Sequence, residues 1–334
     1  IPVLVGGISA MLHADEFQGR ADSLFLGEVE GRLGRVLRDL QNGGLQPVYD
    51  YMNNFPATES IGPARRDILN RELYKYRGVP MLDLVHASRG CHFNCFVCCT
   101  PYLGGRQFRP RPIEKVIEEI ESIPNNRLFL VDNSLAQDKK WEEELFKAMS
   151  PLKKKWVCHP IENDDRLLEL AYEAGCWYVY QAVIDRSDVI RRRIKNYKDH
   201  GIGVEGTIIL GTDDHDEDEI KRMVDYLLEI ELDMAEFTTL TPFKGSAIRE
   251  QLHKDGRLLS SDWSDYTCDR VVFQPKQMSP AKLQEMYYYA WDTFYAETNQ
   301  EMRMGNLFRK LMEREIEDGT YQRPVSRKRR AAAR

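Results

Sequence analysis

Three closely spaced cysteines set the chemistry open to this chain. Cys91, Cys95 and Cys98 form a C-x-x-x-C-x-x-C stretch, Cys91-His92-Phe93-Asn94-Cys95-Phe96-Val97-Cys98, after an apolar run from Met81 to Ser88 and an Arg89-Gly90 turn. Thiolates at this spacing can hold three irons of a cubane cluster and leave the fourth without a protein ligand. An open iron is of little use to an electron carrier, which has four protein ligands, but it serves a substrate that must bind the metal directly. A structural zinc site competes, with Cys99, His92 or the distant Cys158-His159 pair as fourth ligand. The chain has no second C-x-x-C knuckle, and the spacing is not that of a finger or ribbon.

Bulk composition narrows the setting. A chain of 334 residues is long enough for two domains with a proper core. A formal net charge of −6 gives no basic footprint for nucleic acid as a main partner. No apolar run reaches the length of a membrane span, so no transmembrane segment is expected, and no signal peptide is evident. Seven cysteines, an odd number with four of them in one loop, suit a reducing cytoplasm better than a disulfide scaffold. The run Ser326-Arg327-Lys328-Arg329-Arg330 is expected to be a solvated basic tail.

The elements that must position these cysteines follow from the hydrophobic pattern. From Met81 the chain alternates strand and helix, with strands expected at 82–87, 127–131, 156–159, 177–184, 204–210 and 234–240. Between them, sets such as Ile113, Val116, Ile117 and Ile120 fall at helical spacing. Six such units predict an α/β fold whose parallel sheet curves into a partial (β/α)6 TIM-like barrel. In such a sheet chemistry belongs at the carboxyl ends of the strands, where the cysteine loop lies. Upstream, strands at 1–5 and 23–26 and a helix over 29–41 predict the C-terminal part of a doubly wound α/β domain over residues 1–44. Two strands make no stable parallel sheet alone, so the remainder is expected to be missing or supplied elsewhere. Residues 45–80, with Pro47, Pro56, Pro63 and Pro80, are expected to be a linker. Residues 81–255 form the barrel, and 256–334 a mainly helical cap with the basic tail. In that cap, Val271-Val272-Phe273 predicts a strand, 280–298 and 303–317 predict helices, and Tyr287 to Tyr295 predict aromatic packing against the barrel. The acidic run Asp213 to Glu219 lacks the glycine and the final glutamate of a calcium loop and predicts a helix start.

The cysteine stretch resembles the cluster loop of radical S-adenosylmethionine (SAM) enzymes. In that family the open iron chelates the amino and carboxylate groups of SAM, and the reduced [4Fe-4S] cluster splits it into methionine and a 5′-deoxyadenosyl radical. Further motifs are similar to the class carrying a cobalamin-binding domain, which includes hopanoid methylases and the anaerobic magnesium-protoporphyrin IX monomethyl ester cyclase. They are Gly6-Gly7 with Gly27-Glu28-Val29-Glu30, Pro63-Ala64-Arg65-Arg66-Asp67, the Val131-Asp132-Asn133 turn, Thr241-Pro242-Phe243-Lys244-Gly245-Ser246, and Asp262-Trp263 through Met278.

The resemblance implies radical abstraction of hydrogen from an unactivated carbon, with cobalamin-dependent C-methylation or a related modification to follow. It implies Cys91, Cys95 and Cys98 as cluster ligands. Asp132 and Asn133 would face the SAM amino group, with the capping of a following helix by Asn133 or Ser134 as the plain alternative. Val97 stands where an aromatic residue usually precedes the third cysteine, at the adenine edge. Glu205 and Thr207 lie on the glycine-bounded strand under the adenine. Gln181 and Asp185 stand where relatives show a glutamate motif. Gly6 and Gly7 would border the nucleotide tail of the corrin in a full-length protein. The D-x-H-x-x-G loop is absent, and His13 is expected to be an ordinary surface residue. Lys244 is a candidate for an anionic substrate group, and Cys268 is expected to be inert. The implied partners are a small-molecule, lipid or tetrapyrrole-like substrate and an electron donor such as flavodoxin or ferredoxin. Two other classes remain open: a cobalamin-independent radical SAM enzyme performing cyclisation, rearrangement or C–C coupling, and a zinc or electron-transfer module.

Overall fold

The computed structural model describes residues 1–76 and 79–321. The basic run 326–330 lies outside them. Two parallel sheets organise the described chain. The first contains β1 (Leu4–Gly6), β2 (Ser23–Leu26) and β3 (Val48–Asp50), in that order. Its connections carry α1 (Ile8–Leu12), α2 (Ala14–Phe17) and α3 (Leu33–Gln41). Every residue of β2 is buried, as expected of a parallel strand covered on both faces. Leu24 and Leu26 pack with Ala10 on one side, and Phe25 with Val36 and Tyr49 on the other.

The third strand corrects the expectation that residues 45–80 are only a linker. It spans three residues and buries one side chain, Tyr49, so no alternation announces it. The rest of that stretch holds three single 3-10 turns and the short antiparallel pair β4 (Lys75–Tyr76) and β5 (Val79–Pro80). The helix expected over 29–41 begins only at Leu33.

The second sheet opens with β6 (Asp83–Val85). Beyond it the antiparallel pair β7 (Ser88–Arg89) and β8 (Arg109–Pro110) brackets the cysteine loop and the short helix α4 (Thr100–Gly104). The sheet continues through β9 (Arg127–Leu130), β10 (Lys155–Cys158), β11 (Cys176–Ala182), β12 (Gly203–Leu210) and β13 (Met234–Thr239), all parallel and in sequential order. The crossovers are α5 (Ile113–Ser122), α6 (Lys139–Met149), α7 (Asp165–Glu173), α8 (Asp188–Asp199) and α9 (Glu217–Glu229). Side chains of Asp138, Asp164, Ser187 and Asp216 cap the last four by accepting from first-turn amides. Asp216 therefore starts a helix, and Asp213 pairs with Arg257 and Lys276.

Strand alternation sorts the side chains into two sets. Val204, Ile208 and Leu210 of β12 join the core beneath the helices, while Glu205, Thr207 and Ile209 face the concave side. The cap closes the barrel from two directions. α10 (Ala247–Lys254) follows β13, and α11 (Pro280–Phe294) packs Trp291 and Phe294 edge-on to Phe237 of β13, with ring centroids 5.7 and 6.0 Å apart. α12 (Glu297–Glu317) lies across the amino ends of the strands, where Leu307 and Leu311 meet Val157, Trp177 and Tyr178. Glu315 pairs bidentately with Arg127 at 2.8 Å, and Asp318 takes Lys155. The strand expected at 271–273 is only a single bridge from Phe273 to Leu258. No helix of the described residues is long and apolar enough to cross a membrane.

Candidate functional site

The cysteine loop leaves the carboxyl end of β6 through a turn that only glycine permits. Gly90 has φ +73°, and a Cβ there would sit 2.1 Å from the carbonyl oxygen of Gln107. Cys91 is nearly buried, Cys98 half-buried and Cys95 exposed. Burial pushes the Cys91 thiol up, a backbone hydrogen bond from Phe93 opposes this, and the neighbouring Cys95 and Cys98 add to the rise. Donors nevertheless point at the sulfurs. Gln137 Nε2 lies 3.6 Å from Cys91 Sγ, and the Thr100 amide donates to Cys98 Sγ at 3.4 Å. Gln137 Oε1 also accepts from the His92 amide at 2.9 Å, so one side chain braces both residues. A cavity of about 580 Å³, lined in part by Cys95, Cys98, Tyr102, Arg106 and Lys244, opens beside the loop.

Three thiols with N–H donors beside them are chemically suited to hold three irons of a [4Fe-4S] cluster, and the cavity leaves room beside the loop. A single zinc ion would draw its ligands within about 2.3 Å of one point. Among the described residues no three His, Cys, Asp or Glu side chains, the loop cysteines included, are grouped about one such point. The proposed outlying zinc ligands also point apart. Cys158 is fully buried in the core beneath the helices beside Cys176, whereas the His159 ring lies tilted against those of Phe129 and Tyr180. The His92 ring lies tilted against that of Phe93, with centroids 4.4 Å apart, and burial pushes the Cys99 thiol up.

Asp132, expected at the SAM amino group, instead turns back into the protein. It is 1% exposed and accepts from the amides of Ala87, at 3.1 Å, and Ser88, and from the Ser88 hydroxyl at 2.5 Å. It thus fixes the segment that leads to Cys91. Asn133 is exposed and meets the Thr100 hydroxyl at 3.4 Å; neither it nor Ser134 caps α6, which takes Asp138. Gln181 alternates with Val179 and Val183 on the helix-facing side of β11 and donates to the Ala182 carbonyl, so it does not line the concave face. Asp185 accepts from the Ser187 amide at 2.9 Å. Val97 packs against the main core.

The concave face carries residues that motif reading missed. The rings of Phe129, His159 and Tyr180, from three neighbouring strands, stand 5.4–5.6 Å apart. Burial pushes the His159 pKa down, which favours a neutral ring. Below them the Tyr178 hydroxyl donates to Glu205 at 2.6 Å, beside Met234 Sδ at 3.0 Å. Burial pushes the Glu205 carboxyl up, the Tyr178 hydrogen bond opposes it, and Glu236 on the next strand adds to it. Thr207 is half-buried on the same face. The signal was available: polar and aromatic side chains recur at every second position of strands whose other face is aliphatic.

The first sheet turns its carboxyl edge toward this loop. Gly7 has φ +85° and nothing lies within 4 Å of where its Cβ would be, whereas a Cβ at Gly6 would meet the Phe25 carbonyl oxygen at 3.1 Å. His13 is not a surface residue. It is 7% exposed and its ring lies 3.8 Å from that of Trp263 in the cap. Lys244, expected to await a substrate, meets Asp15 of α2 at 3.3 Å. Cys268 holds φ +67° and is half-buried, which pushes its thiol up.

No protein-family model matches the chain. It is 27% identical over 312 residues to bacteriochlorophyllide d C-12(1)-methyltransferase of Chlorobaculum tepidum, covering 85% of this chain and 67% of the relative. Its fold matches the radical SAM methyltransferase TsrM from Kitasatospora setae, solved with cobalamin and a [4Fe-4S] cluster. The TM-score is 0.64 at 17% identity, over 86% of this chain and 67% of that one. It also matches OxsB, a cobalamin-dependent SAM radical enzyme solved with aqua-cobalamin and SAM. That TM-score is 0.63 at 13% identity, over 94% and 58% of the two chains. The chain therefore spans about two thirds of the length of these relatives, or less.

Proposed function

We propose that this chain is a radical SAM enzyme of the cobalamin-binding class, of methyltransferase or oxidative cyclase type, a reading that its likeness to a bacteriochlorophyllide methyltransferase and to the folds of TsrM and OxsB supports. Cys91, Cys95 and Cys98 would hold a [4Fe-4S] cluster and leave one iron free for SAM. When bound, the cluster and SAM supply a 5′-deoxyadenosyl radical that removes hydrogen from an unactivated carbon, and cobalamin supplies the methyl group.

The protein's own part is positioning and exclusion of water. Asp132 and Gln137 hold the cysteine loop in place. Val97 and the concave face of β12, with Glu205 and Thr207, line the space for SAM and substrate. The Phe129–His159–Tyr180 wall offers flat apolar surface to a small molecule, and a tetrapyrrole-like substrate agrees with the relative that acts on a bacteriochlorophyllide. Gly6 and Gly7 would border the nucleotide tail of a bound corrin. An electron donor of the flavodoxin or ferredoxin type would supply the electrons, in a reducing cytoplasm.

The observation that carries this reading is the placement of three thiols, two of them facing N–H donors, just past the first strand of a six-stranded parallel sheet. Its test is product analysis. Anaerobically reconstituted protein, given SAM and a strong reductant, forms 5′-deoxyadenosine, and Cys95→Ala abolishes this. Equal 5′-deoxyadenosine from wild type and variant, or none from either, contradicts the reading.

A further inference from the structure

The two ends of the cysteine loop place like charges face to face. In the β7–β8 pair Arg89 stands directly opposite Arg109. Such a cross-strand pair is repulsive, and both guanidiniums are largely shielded from solvent, at 21% and 12% side-chain exposure. The first sheet resolves the conflict. Glu28, just beyond β2, reaches across and accepts from both arginines, with Arg89 Nη1 at 2.9 Å and Arg109 Nη1 at 3.2 Å, the latter supplemented by Nη2. Glu30 takes Arg89 a second time, at 2.5 and 3.0 Å. Two carboxylates and two guanidiniums leave the group neutral. The loop base between them is pinched so tightly that residue 90 has no room for a Cβ.

We infer that the Gly27–Glu30 turn is a positioning element that closes the cysteine loop, so that the loop takes its cluster-holding form only when the N-terminal sheet is docked. Without Glu28, Arg89 and Arg109 repel across the pair and the ends of the loop separate. The inference rests on the cluster reading for its meaning but not for its test, because loop closure is measurable in protein without a cluster.

The experiment is hydrogen exchange of the 88–110 amides in cluster-free protein, followed by iron bound per chain after reconstitution. Glu28→Gln speeds exchange of these amides by about tenfold or more and lowers bound iron. Adding Arg109→Gln removes one of the two like charges and restores both readouts toward wild type, which a loss of mere packing at Glu28 would not do. Unchanged exchange in E28Q, or a double variant as open as E28Q, overturns the proposal. Should E28Q not fold, Arg109→Gln alone must keep the loop closed, and an open loop in R109Q overturns it equally. A loop that opens as stated in a protein that never binds iron leaves this inference standing and defeats the cluster reading.

Discussion

Asp132 and Ser88 are joined by two hydrogen bonds, from the amide and the hydroxyl of Ser88 to one carboxylate oxygen, while the Ala87 amide takes the other oxygen. The carboxylate is sealed from solvent, and burial pushes its pKa up against these donors. Replacing Asp132 by Ala strands two buried amides, at about 1–3 kcal/mol each. Asp132→Ala is expected to lose at least that much stability in urea unfolding and to bind less iron. Asp132→Asn, which keeps one acceptor oxygen, falls between it and wild type.

Gln137 is the side chain whose Nε2 faces the sulfur of Cys91, at 3.6 Å. Hydrogen bonds to cluster sulfurs stabilise the reduced, more negative state. Gln137→Leu is therefore expected to bind iron but to shift the cluster midpoint potential negative. Redox-poised EPR reads the shift, and a potential unmoved within error contradicts the assignment.

Glu142 gives the fold a pH dependence of its own. The residue is fully buried and accepts from the Glu162 amide, and burial pushes its pKa up to about 8. The native state then holds a proton that the unfolded chain releases near pH 4.3. This contribution to stability is fully present below that value and is lost as pH rises toward about 8. Glu142→Gln keeps the acceptor and removes the charge. Urea unfolding at pH 5 and pH 8.5 should show a flatter profile for the variant, which gains roughly 2–4 kcal/mol over wild type at the higher pH.

Leu311 anchors α12 across the amino ends of the strands with 1% exposure. Leu311→Ala is expected to cost about 2–5 kcal/mol through lost burial and the cavity left behind. The Cys91–Cys98 loop lies at the opposite end of the barrel, so iron binding below the unfolding transition should be unchanged.

The six barrel strands and their helices were legible because each repeats an apolar pattern over several turns or alternations, and the cysteine spacing stood out by itself. What escaped reading depends on contacts distant in sequence. β3 is too short to show a period, and its strand character comes from pairing with β2. Asp132 was read as a cofactor contact because its motif sits at a strand end, yet partners 44 and 45 residues earlier claim the carboxylate. Gln137 follows the turn motif without belonging to it, and no local pattern ties it to Cys91. His13 looked exposed because nothing nearby covers it; its cover is Trp263, from the far end of the chain. Glu28 and Glu30 were visible as a motif, but their arginine partners lie about 60 to 80 residues on.

The most direct test of the central claim is low-temperature EPR of anaerobically reconstituted, reduced protein with and without SAM. Three cysteine ligands and an open iron predict a [4Fe-4S]⁺ signal that changes when SAM is added and disappears in Cys91→Ala, Cys95→Ala or Cys98→Ala. A signal that SAM leaves untouched, or one that survives loss of any of the three cysteines, would contradict the account.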